Sequence, residues 1–126
     1  MTTKNFKVIR ASAGTGKTYT LVQEYLQLAL KNGTPWYYKH ILAITFTNAA
    51  AAEMKERILN SLRLFTQAGN SGDLLHDIAQ NLQLTEDELR TRAGEVFHHM
   101  LHNYGQLSIL TIDSFTSKLI RSFSKD

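Results

Sequence analysis

The sequence predicts an α/β fold: a parallel sheet flanked by helices, opening on a phosphate-binding loop (a P-loop architecture) and interrupted by a helical insertion. Three observations predict it. A short β-permissive segment, Phe6 to Ala11, runs into the glycine-bearing turn Ser12-Ala13-Gly14-Thr15-Gly16-Lys17-Thr18 and then into an amphipathic helix. A second strand-then-helix unit follows from Ile41 to about Phe65. A purely helical stretch then breaks the rhythm before a third apolar run, Leu107 to Ile112. On this reading residues 1–66 form the first half of the core, 67–105 the insertion, and 106–126 a return strand and helix.

Each element has its own signal. From Lys17 to Asn32, Leu21, Val22, Tyr25, Leu26, Ala29 and Leu30 form a wide stripe at helical spacing, which Asn32-Gly33 and Pro35 stop. Ile41-Leu42-Ala43-Ile44-Thr45-Phe46 is apolar without alternation, the pattern of a strand covered on both faces in a parallel sheet. Thr47 or Asn48 caps the next helix, which places Met54, Ile58, Leu62 and Phe65 on one face. The polar, glycine-punctuated Gln67 to Gly72 begins the insertion. Its first helix carries Leu74, Leu75, Ile78, Ala79 and Leu82. Its second opens on a capping box, Thr85 with Glu88, and runs through Leu89, Ala93, Val96, Phe97, Met100, Leu101 and Tyr104 to Gly105. After the return strand, Asp113 or Ser114 caps a last helix presenting Phe115, Leu119 and Phe123.

Composition narrows the class. A chain of 126 residues, 43% hydrophobic and 20% charged, suits one globular domain or part of one. No apolar run approaches the roughly 20 residues of a membrane helix, and Met1 to Arg10 lacks the features of a secretory signal, so a cytoplasmic location is expected. The absence of cysteine removes disulfide and thiolate chemistry. A net charge of +3 decides nothing about partners.

The loop carries the chemistry. Phosphates need many donors within a small radius, and a glycine-rich turn at a helix N-terminus supplies consecutive N–H groups. Ser12, Ala13, Gly14, Thr15 and Gly16 are the candidate cradle for ATP. Lys17 is placed to meet the β and γ phosphates, and the Thr18 hydroxyl to join the shell of Mg²⁺, which prefers oxygen ligands. These two are the candidate catalytic residues, Thr18 being also the metal ligand. Tyr19 lies against adenine or ribose, or is a plain surface aromatic. Ala11 stands where the strict motif has glycine.

Ala11-Ser12-Ala13-Gly14-Thr15-Gly16-Lys17-Thr18 resembles the first motif of the UvrD/Rep superfamily 1 DNA helicases, especially the RecB and AddA branch, where alanine at the first position is usual. Ile41 to Arg57, with Thr45-Phe46-Thr47-Asn48 opening an alanine-rich helix, is similar to the family's second block. Leu110-Thr111-Ile112-Asp113-Ser114-Phe115 is similar to a third, and the three keep the family's order. The resemblance implies the first of two RecA-like domains of an ATP-dependent motor that steps along single-stranded DNA. Thr45, Phe46, Thr47, Asn48, Thr111 and Ser114 are then the DNA-contacting candidates, with Phe46 stacking on a base and the small polar groups bonding phosphates. It also leaves room for a nuclease or helicase partner subunit.

Two departures stand out: Ala49 replaces a basic residue common in relatives, and Asp113 replaces a histidine, where a carboxylate would repel phosphate. The family's Asp-Glu pair appears at no strand end. The chain is therefore expected to be the opening part of an incomplete domain, continuing past Asp126 into a strand ending in Asp-Glu, and to bind ATP without unwinding DNA. Two alternatives remain open: a small P-loop kinase using Asp113 as a magnesium ligand, and a non-catalytic nucleotide-binding module. His98, His99 and His102 lack a third ligand in a recognisable pattern and are read as a surface cluster. Glu86, Asp87 and Glu88 suit a helix's first turn electrostatically and need no catalytic role.

Overall fold

The computed structural model describes residues 8–11, 15–67 and 72–124, with the backbone alone described at 8–11, 15–19 and 106. The first strand, β1 (Val8–Ala11), leads across a short gap to helix α1 (Thr15–Leu30). A 3-10 turn at Tyr37–His40 precedes β2 (Leu42–Thr45), followed by α2 (Asn48–Thr66). Then come α3 (Asp73–Leu82), α4 (Glu86–His102), a 3-10 turn at Tyr104–Gln106, β3 (Ile109–Thr111) and α5 (Ile112–Ser124). Phe6, the expected start of the first strand, and Ala68 to Ser71 of the expected linker lie outside the described residues.

The three strands pair in parallel in the order β1-β2-β3, as expected for strands joined by helical crossovers. Val8 pairs with Leu42 and Ala11 with Thr45; Ala43 pairs with Ile109 and Thr45 with Thr111. Ala11, Thr45 and Thr111 therefore form one row across the C-terminal edge of the sheet. The three sequence blocks, far apart along the chain, begin side by side.

The sheet differs from expectation in its covering. Ala43 and Thr45 of β2 and Ile109 and Thr111 of β3 are buried, whereas Leu42, Ile44 and Leu110 are only half-buried. Among the described residues one face of the sheet is closed and the other half-open. An unbroken apolar run reports what a strand can bury, not what is there to cover it.

One apolar cluster joins the sheet to the four helices before β3. Met54, Ile58, Leu62 and Phe65 of α2 are buried as their spacing predicts, together with Ala51. They meet Leu89, Ala93, Val96 and Met100 of α4, which lies along α2 in the most extensive helix pairing of the fold. The Thr85–Glu88 capping box forms in both directions.

Two arginines of α4 tie it to the helices that follow β1 and β2. Arg92 donates to the carbonyls of Leu30 and Lys31 at 3.0 and 2.9 Å, at the C-terminus of α1. Arg90 donates to the Gln67 carbonyl at 2.7 Å and that of Phe65 at 3.4 Å, at the C-terminus of α2. The last carbonyls of a helix lack intrahelical donors, and a guanidinium satisfies them with charge of the favourable sign. These bonds, and an Asx turn in which Asn32 accepts from the Thr34 N–H at 3.0 Å, end α1 at Leu30 rather than Asn32.

The stop after α3 carries no glycine. Gln83 takes the left-handed conformation (φ 59°) instead, and the Leu84 N–H reaches back to the Ala79 carbonyl at 2.9 Å. Asparagine or glycine is the usual signal for such a cap, so its place was not legible in the sequence.

Candidate nucleotide and nucleic-acid site

The site is assembled at the row Ala11–Thr45–Thr111, because in parallel α/β sheets the loops after the strand C-termini are where helices begin and donors converge. At the β1 end, Ser12, Ala13 and Gly14 lie outside the described residues. The backbone on either side has the required form: the strand stops at Ala11, and α1 starts at Thr15, so Thr15, Gly16, Lys17 and Thr18 occupy its first turn. The four opening N–H groups of a helix have no intrahelical acceptor. This strand-loop-helix backbone fits a phosphate group bound at Lys17 and Thr18. The side chains of Lys17, Thr18 and Tyr19 fall among those not described.

At the β2 end the side chains are described. Thr45 is 1% exposed, and its hydroxyl faces the Thr47 and Leu110 carbonyls at 3.1 and 3.3 Å. Of the DNA-contacting candidates it offers no surface to a ligand. What it does is fasten the turn after β2 to β3. Phe46, immediately after it, is 59% exposed, because alternation along the strand turns it away from the core. Thr47 is the N-cap of α2: its hydroxyl accepts from the Ala50 N–H at 3.0 Å. Asn48 starts the helix and is exposed.

At the β3 end Thr111 is 7% exposed, donates its hydroxyl proton to Ser114 Oγ at 3.0 Å and accepts from the Ser114 N–H at 3.2 Å. This corrects one expectation: neither Asp113 nor Ser114 caps the last helix. Thr111 does, since its hydroxyl already sits opposite the third N–H of the helix, and α5 starts earlier than the sequence suggested. Asp113 stands exposed in the first turn of α5, where a carboxylate is favoured by the helix dipole. Ser114 is exposed beside Thr111.

A cleft of about 310 Å³ joins the β2 and β3 ends. Asn48 and Lys55 line it from α2, Tyr104 from the turn after α4, and Thr111 and Ser114 from the opposite side. The Lys55 ammonium lies 5.7 Å from the centre of the Tyr104 ring. Lys55 sits seven residues after Asn48 on one helical face, so a helix projection of the sequence could have found it. Tyr104 had no such signal, because its position depends on how α4 packs.

The histidines do not gather into a site. Among the described residues no group of three or more metal-ligating side chains is close enough to hold an ion. His99 instead meets the buried Tyr38, whose hydroxyl is 2.7 Å from His99 Nδ1, while Asn103 donates to the His99 carbonyl at 2.9 Å. Desolvation, with Lys39, His102 and His98 nearby, pushes the His99 pKa down. No helix among the described residues is long and apolar enough to cross a membrane.

Residues 1–126 match the family described as UvrD/REP helicase N-terminal domain. The chain is 31% identical to RecBCD enzyme subunit RecB of Haemophilus influenzae, over 93% of its own length and 11% of that protein's. It is 32% identical to the ATP-dependent helicase/nuclease AddA subunit of Alkaliphilus oremlandii (90% and 8%) and 34% identical to its counterpart in Anoxybacillus flavithermus (92% and 8%). A stretch covering 40% of the chain is 51% identical to the counterpart in Clostridium botulinum. The chain thus spans about a tenth of the length of the curated relatives it matches. No solved structure gives a significant match. The sequence relatives and the parallel strand-helix units agree in setting aside the small-kinase alternative: this chain belongs to the UvrD/REP helicase N-terminal domain family.

Proposed function

We propose that the chain is the ATP-binding opening part of an ATP-dependent DNA helicase or translocase acting on single-stranded DNA, and that its fold is the first part of a RecA-like P-loop domain. The observation that carries this reading is the row Ala11–Thr45–Thr111, which sets the loop after β1 beside the two turns after β2 and β3. Its relatives, which include helicase/nuclease proteins, support the class of substrate. The half-open sheet face and the exposed Leu119, Ile120 and Phe123 of α5 support its being part of a larger domain, with residues 67–105 an insertion in the core.

ATP supplies the free energy of phosphoanhydride hydrolysis when bound. The backbone from Ser12 to Gly16 holds its phosphates, the Lys17 ammonium neutralises them, and the Thr18 hydroxyl ligates Mg²⁺. Tyr19 borders the base or ribose. Phe46 offers a face to a DNA base, and Asn48, Thr47 and Ser114 offer hydrogen bonds to the backbone. Thr45 and Thr111 hold those groups in place from within. None of these residues orients a water for attack, so the 126 residues bind ATP without turning it over.

A fluorescent ATP analogue tests the nucleotide half. Wild type binds it with Mg²⁺, and Lys17→Ala weakens binding at least about a hundredfold, the loss of a charge-assisted phosphate contact. Equal binding by the variant refutes the assignment.

A further inference from the structure

The cleft between α2 and the turn after α4 holds two groups that the three sequence blocks do not assign to a ligand. Lys55 projects from the face of α2 that begins with Asn48, and Tyr104 closes the cleft from the end of the helical segment 86–102. The floor between them is made by Ala51 and Ala52, whose methyl groups leave it open. Lys55 makes no ion pair with a carboxylate among the described residues; its charge rests 5.7 Å from the Tyr104 ring. No acidic side chain lines the cleft among the described residues. Tyr104 is 45% exposed, so one part of its ring holds the lysine and another is free.

A cation poised on an aromatic ring, in a groove with hydroxyl and amide groups and no acid, matches a nucleotide unit: phosphate to the cation, base or ribose to the ring. Ala49 leaves the start of α2 without a cation, and Lys55 supplies one two turns further along the same helix. We propose that Lys55 and Tyr104 extend the single-stranded DNA track beyond Phe46 and Asn48, holding one further nucleotide, so that the helical segment forms a wall of that track. This rests on the DNA reading of the turn after β2.

Anisotropy of a labelled oligothymidine, titrated with the full chain at several salt concentrations, tests it. Lys55→Gln, which keeps the aliphatic stem, is expected to weaken binding about fivefold and to lower the slope of log affinity against log salt by about 0.7, one phosphate contact on a single strand. Lys55→Arg restores both. Tyr104→Leu weakens binding about tenfold with the salt slope unchanged. Ala52→Leu, on an exposed floor position, fills the cleft and weakens binding without lowering the melting temperature. If Lys55→Gln and Tyr104→Leu bind like wild type while Phe46→Ala does not, the extension is wrong and the DNA reading stands. If affinity falls at an unchanged salt slope for Lys55→Gln, the lysine is structural and the proposal fails. If wild type binds no oligothymidine, both the extension and the reading beneath it fail.

Discussion

At the end of β1 the groups offered to a ligand are backbone N–H groups and two side chains from one continuous segment, Ser12 to Thr18. At the ends of β2 and β3 they are side chains from two segments far apart along the chain, joined by the Thr45 hydroxyl at the Leu110 carbonyl. The nucleotide half depends on local conformation and the DNA half on register. A one-residue slip of β2 against β3 would leave the first intact and put Thr45 and Thr111 on the wrong side of the sheet. Damage to one half should therefore leave the other working, except where both lean on a shared support.

The largest separation is expected at Phe46. Phe46→Ala removes an exposed aromatic face without touching the core, so oligothymidine affinity falls by about 2 kcal/mol while binding of the ATP analogue and the melting temperature stay as in wild type. Arg92 sharpens the comparison from the other direction. It fastens the far end of α1, the helix that begins at the phosphate loop, so Arg92→Ala costs about 1–2 kcal/mol in urea denaturation and weakens both ligands only through that loss. Thr45→Val keeps the shape and loses the hydroxyl. It destabilises by about 1 kcal/mol and lowers DNA affinity more than nucleotide affinity, because the β2–β3 fastening is what it breaks.

The smallest effect lies away from both halves. His99 has a lowered pKa in the folded chain, so below the ordinary histidine value the unfolded chain takes up a proton that the folded one resists. Stability is therefore full above about pH 6.5 and declines as the pH falls from there toward the lowered folded value. His99→Gln flattens that decline in urea titrations between about pH 7 and 5.

The same contrast explains what the sequence could tell. Helix stripes survive translation because Met54, Ile58, Leu62 and Phe65 share a face whatever packs on it. The phosphate loop was legible because its donors are consecutive. Phe46 was readable as exposed or buried, and the strand's alternation decided it. Thr45 read as a ligand contact because a hydroxyl at a strand end has two uses, and only the register to β3 shows which it serves. Arg90 and Arg92 gave no local sign, since the carbonyls they satisfy belong to helices more than twenty residues back. Thr111, not Asp113, caps α5 because the cap is set by where the strand stops.

The independence of the two halves is open to one measurement. Wild type, Lys17→Ala and Phe46→Ala are each titrated with a fluorescent ATP analogue and with a labelled oligothymidine. Lys17→Ala is expected to lose the nucleotide and keep DNA affinity within about twofold, and Phe46→Ala to do the reverse. Loss of both ligands by either variant at an unchanged melting temperature, or of neither by both, would contradict a sheet edge divided between nucleotide and DNA.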